Sequence, residues 1–124
     1  MTAALNIAFE APDVIRAPGS SKTRPVDLIA IAVQTRGDKG AELELLQGFA
    51  RQARGCLLTL SAGSSQAETR QAATRLRNSA LTVGALDVVT AAELIETKGV
   101  TPDTVASVSA AVLAAEHFIL KLAR

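Results

Sequence analysis

The stretch TPDTVASVSAAVLAAEHFILKL, residues 101–122, carries both a helix start and the pattern of its buried face. Thr101 is a good N-cap, Pro102 suits the first helical position, and Asp103 puts a negative charge on the positive end of the dipole. Val105, Val108, Val112, Ala115, Ile119 and Leu122 then recur at 3-4-3-4-3 spacing. That period makes an apolar seam that packs near 20° against its neighbours, the geometry of an antiparallel bundle.

Working back along the chain, three more helices and a short one precede it. A helix over about 88–98 stops at Gly99. Ser65-Gln66-Ala67-Glu68 is a capping box in which Ser65 and Glu68 bond each other's backbone amides, and it fixes the start of a third helix. The buried stripe of that helix is Thr69, Ala73, Leu76, Ala80 and Val83. Asp38 caps a second helix over roughly 39–62, with Leu43, Leu46, Phe49, Ala50, Ala53, Leu57 and Leu60 at threes and fours. VDLIAIAVQ, from Val26, is a short apolar helix closed by the turn residues Thr35 to Lys39. The pattern predicts an all-α fold, an antiparallel four-helix bundle with a short extra N-terminal helix, over residues 25–124. Residues 1–24 differ: Pro12 and Pro18, with Pro25 next, a GSS tract and no helical period make them an extended or flexible arm.

Composition agrees with this reading and narrows the function. A 124-residue chain is one domain with a modest core, and 48% apolar with 2% aromatic favours small aliphatics in close-packed helices over a β-sandwich. A formal charge of +1 gives no global field that recommends nucleic acid or an acidic membrane. The single Cys56 sits in an apolar run as a buried small hydrophobe, and with one histidine it excludes a Cys/His metal site. No Gly-rich phosphate loop, carboxylate pair or Ser-His-Asp set points to an enzyme or a cofactor. With no signal pattern and no apolar run of membrane-spanning length, the expectation is a soluble cytoplasmic protein without a membrane partner.

The third helix holds the most specific pattern, AATRLRNSALTVGA at 72–85. At 100° per residue, Gln71, Thr74 and Asn78 point away from the stripe centred on Leu76 and Ala80. Arg70, Arg75 and Arg77 flank them, and Leu81 with Ala85 adds an apolar patch further along. This helix resembles that of histidine-containing phosphotransfer (Hpt) domains, relay modules between receiver domains in two-component signalling. Their helix carries His-x-Leu-Lys-Gly, then a small residue, then a Gly-Ala pair six residues after the motif glycine. Thr74 stands in the His place, Leu76 in the Leu, Arg77 in the Lys and Asn78 in the Gly. Ser79 and Ala80 are the small residues, and Gly84-Ala85 is the pair. VVTAAELIE, ending in Ile95-Glu96, resembles the next helix, and the likeness spans about residues 24–122.

The resemblance implies a signalling protein that docks a response-regulator receiver domain or a sensor histidine kinase. The face it implies for docking is Arg70, Gln71, Thr74, Arg77, Asn78 and Leu81, with Leu76, Ser79 and Gly84 in structural places. Two departures bear on activity. Thr74 replaces the phosphoacceptor, and its neighbours along the helix are Arg and Gln, which cannot act as a base. Asn78 replaces a glycine that leaves room for a partner. The expectation is therefore a docking module that does not carry phosphate, with Thr74 solvent-exposed. The alternatives are transfer through His117 on the last helix, or a structural bundle. An apolar surface of Ala110, Leu113 and Leu120 would suit either the Leu5–Phe9 segment or a homodimer through the fifth helix.

Overall fold

A computed structural model describes residues 24–123 of the chain, so the arm assigned to residues 1–24 lies, apart from Arg24, outside the described residues. Within them there are five helices and no strand: α1 (Leu28–Thr35), α2 (Lys39–Ser61), α3 (Gln66–Val83), α4 (Leu86–Lys98) and α5 (Pro102–Leu122). Each of α2 to α5 packs on its two neighbours, with α2 closing the ring against α5, while α1 lies across α2 and α3. Loops of a few residues leave consecutive helices no room to run parallel, so the four long ones form an up-and-down bundle.

Local chemistry sets the helix starts. Asp27 accepts a hydrogen bond from the Ala30 amide at 3.0 Å, and Asp38 accepts one from Ala41 at 3.1 Å. The Ser65–Glu68 box closes in both directions, at 3.1 and 3.0 Å. Thr101 caps α5 with Pro102 following, and its box is completed by Thr104, a partner the sequence reading did not assign. Helix α4 begins at Leu86 rather than 88 and has no side-chain cap. Its N-cap, Ala85, instead hands its own amide back to the Ala80 carbonyl at 2.9 Å, so the end of α3 leads directly into α4.

Gly84 makes that corner possible. Its φ of 68° lies in the left-handed region, and an added Cβ would run into the Asp27 side chain. The close approach lets the Asp27 amide donate to the Val83 carbonyl at 3.0 Å, which pins the start of α1 to the α3–α4 corner. The Gln34 side chain repeats the tie further along, donating to the Thr82 carbonyl at 2.7 Å.

The core matches the expected stripes in their centres, with departures mainly toward the helix ends. Thr69, Ala73, Leu76, Ala80 and Val83 are buried, joined by Ala72. In α2 the fully buried set is Leu46, Phe49, Ala53, Cys56 and Leu60, while Leu43 and Leu57 are only half-buried. In α5 Val108, Val112, Ala115 and Ile119 are buried, but Val105 is half-buried and Leu122 is 41% exposed. Leu122, in the last turn, lines an open cleft with Leu28, Ala32 and Leu43 instead of filling the core. The Cys56 thiol is pushed up from its ordinary value by burial, an effect that the nearby Arg75 guanidinium partly offsets. A thiol in that setting is inert packing.

Run length alone misjudged α5. It is a 21-residue helix whose 18-residue window reaches a mean hydropathy of 1.6, long and apolar enough to cross a membrane by length and composition. Its inner stripe is nevertheless inserted between α2 and α4. Only 22% of that window is buried, because one stripe faces the bundle, and the hydropathy is high because the outer side is apolar as well.

Candidate functional site

The exposed side of α3 is built by its own period and by what α4 brings beside it. Arg70, Gln71, Arg75 and Asn78 are exposed, and Leu81 keeps 52% of its surface in water. Leu86, at the first position of α4, is also 52% exposed, so the α3–α4 corner offers two leucines near the end of a basic helix face. Ser79 is half-buried on the side toward α2, where it helps line a groove with Leu45, Phe49 and Gln52. Leu76 is fully buried.

Thr74 departs from expectation. It is half-buried, and its hydroxyl donates to Glu96 Oε2 at 2.6 Å. Helical periodicity does aim Thr74 off the core stripe, but α4 packs tightly along α3 and its last turn covers that position. Glu96 is therefore the residue the sequence reading missed. The statement that Thr74 has only Arg and Gln around it holds along α3 and fails in space. The signal was present in the Ile95-Glu96 pair: a buried Ile95 at the α3–α4 contact places the next side chain at the edge of that contact.

Arg77 completes the group. Its Nε lies 2.9 Å from Glu96 Oε1, with the two side chains 30% and 20% exposed. The N–H is not aimed along that line, so Nε is buried without a directed hydrogen bond and the contact is one of charges. Each Glu96 oxygen thus has its own partner, the hydroxyl on one and the guanidinium on the other. A hydrogen bond to a charged group is worth about 1.5–3 kcal/mol net, enough to hold the α3–α4 register at this point. Arg77 is consequently less available to a partner than Arg70, which is exposed at the rim of a small cleft formed with Ile95, Glu96, Lys98 and Gly99.

This group has defined chemical capacity. A carboxylate 2.6 Å from a hydroxyl can accept its proton, so a base is present. His117 lies elsewhere, exposed on the outer side of α5, with Lys121 one turn on. Its preceding neighbour Glu116 is turned to α2, where Arg54 grips it with Nη2–Oε2 at 2.7 Å and Nε–Oε2 at 3.1 Å. No family model matches this chain, and neither does any curated protein or solved structure compared with it.

Proposed function

We propose that the chain is an Hpt-like docking module that binds a receiver domain or a histidine kinase through the exposed side of α3 and does not relay phosphate. The observation that carries this reading is the Thr74–Glu96–Arg77 group at the place where the motif spacing calls for a phosphoacceptor histidine. The polar centre is engaged within the chain, while Arg70, Gln71, Asn78 and Leu81 around it are free to meet a partner.

Product chemistry, not a missing base, weighs against relay. Glu96 can take the Thr74 proton, yet a phosphothreonine ester is too stable to pass its phosphoryl group to an aspartate. Imidazole serves relay because it is neutral near pH 7 and its phosphoryl adduct is labile. A receiver's phosphorylation site is an acidic pocket, so Arg70 with the partly engaged Arg77 supplies complementary charge. Leu81 supplies apolar area near the centre of the patch.

The test is a binding screen of the full chain against the receiver domains and kinases of its own genome, read by titration calorimetry. A partner that binds more weakly on Leu81→Ala supports the reading. Absence of binding to any of them, or binding indifferent to Leu81→Ala and Arg70→Glu, sinks it.

A further inference from the structure

The outer side of α5 is an apolar surface that no other described residue covers. Ala106, Ala110, Leu113, His117 and Leu120 are all exposed, with Leu113 at 47% and Leu120 at 59%. They recur at 4-3-4-3 spacing and lie directly opposite the buried Val108–Val112–Ala115–Ile119 stripe. A helix with apolar stripes on two opposite sides has room for a partner on each. Here α5 has two seams, and the bundle fills one.

We infer that the second seam is filled by α5 of a second copy of this chain, packed antiparallel about a two-fold axis through Leu113. Sequence order along the seam is what selects this occupant. In an antiparallel pair Leu113 meets Leu113 of the other copy, Ala110 meets His117 and Ala106 meets Leu120. Every large side chain away from the axis then faces a small one, as close packing of two helices requires. A parallel pair would set Leu120 on Leu120 and leave a gap where Ala106 faced Ala106.

Charge gives the same orientation. Asp103 and Lys121 are exposed, eighteen residues apart, which is a whole number of helical turns, so both lie on one edge of the seam. In an antiparallel pair that edge faces itself in reverse, and Asp103 of each copy comes beside Lys121 of the other. In a parallel pair the two copies of that edge lie on opposite sides of the seam, and Asp103 and Lys121 lose each other as partners. The self-complementary patch is the kind a two-fold dimer needs. A lipid surface would select neither the alternation of small and large residues nor an acidic group on the edge, since helices lying on membranes carry basic flanks.

Sedimentation equilibrium of the full chain from low to high micromolar concentration tests the proposal. The expected result is a dimer that Leu113→Lys converts to monomer without loss of helical circular dichroism. Asp103→Lys and Lys121→Asp should each weaken the dimer about tenfold, and the two together in one chain should restore it, because the swapped charges again face each other. In a Cys56→Ala background, Leu113→Cys should oxidise to a linked dimer. Ala106→Cys should not link to itself but should link when mixed with Leu120→Cys. A monomer at every concentration overturns the proposal, and if that monomer sediments with anionic phospholipid vesicles the face belongs to lipid. A dimer indifferent to Leu113→Lys, or self-linking of Ala106→Cys, overturns the surface or its orientation.

Discussion

The α3–α4 face and the outer side of α5 are both exposed, but they satisfy themselves in opposite ways. On α3–α4 the polar groups meet inside the chain: Thr74 and Arg77 both terminate on Glu96, and what remains outward is a ring of arginine, glutamine and asparagine with two leucines. On α5 the seam is mostly alanine and leucine with Asp103 and Lys121 at its edge, and no other described residue buries its apolar side chains. The first face holds its shape without a partner and suits contacts made and broken by charge. The second gains from a partner through the hydrophobic effect, at about 25 cal/mol per Å² covered, and suits a longer-lived one. One small bundle can therefore offer two surfaces of different character.

The sharpest way to break this comparison uses adjacent residues of α5. Val112 is fully buried and Leu113 is half exposed. Val112→Asp should unfold the domain, since an unpaired carboxylate in the core costs more than about 4 kcal/mol against a total stability of about 5–15 kcal/mol. Leu113→Lys should leave the urea midpoint of the monomer nearly unchanged. If the two variants unfold alike, α5 has only one buried seam's worth of difference between its sides and the two-seam reading fails.

Next in size is the corner that presents the α3–α4 face. Gly84→Ala forces a left-handed φ on a residue with Cβ and pushes that atom into Asp27. A loss of about 2–4 kcal/mol is expected, with α1 detaching first in amide hydrogen exchange. Uniform loss of protection would show that α1 is not held chiefly at this corner.

A smaller effect tests whether the polar centre is truly engaged within the chain. A double-mutant cycle of Thr74→Ala and Glu96→Ala, followed by urea denaturation, should give a coupling of about 1–2 kcal/mol. A coupling near zero would make Thr74 a solvated hydroxyl and return it to the docking surface. The same geometry changes the choice of charge probe for docking. Arg77→Glu would set a second carboxylate against Glu96 and disturb the fold, so Arg70→Glu is the clean substitution. It should slow association with an acidic partner about tenfold at low salt, flatten the salt dependence and leave stability untouched.

The smallest expected effect concerns Cys56, which belongs to neither face. Burial raises its thiol pKa, so iodoacetamide at pH 8 should modify the folded protein at least about tenfold more slowly than the protein in urea. Equal rates would mean that the core beneath α2 and α3 opens readily.

Much of the fold was legible without coordinates because the information is local. A cap reaches three residues along the chain, and an apolar stripe repeats every three or four. Asp38, the Ser65–Glu68 box, Thr101-Pro102 and the stripes of α2, α3 and α5 therefore announce the helices and their inner faces. What the chain could not announce is what lies beside a residue across a helix pair. Thr74 and Glu96 are 22 positions apart, and their meeting depends on the length of the Gly84 corner and the tilt of α4 on α3. Helical periodicity assigns a direction to Thr74, whereas only packing decides whether that direction holds water or a carboxylate. In the same way the Arg54–Glu116 grip, the approach of Asp27 to Gly84 and the exposure of Leu122 follow from where helices end relative to one another. The sequence by itself determined the helices and which stripe each one buries, since those obey short-range geometry. The tertiary structure decided how Thr74 is engaged and which ends of the stripes stay exposed, since those depend on the register of one helix against the next.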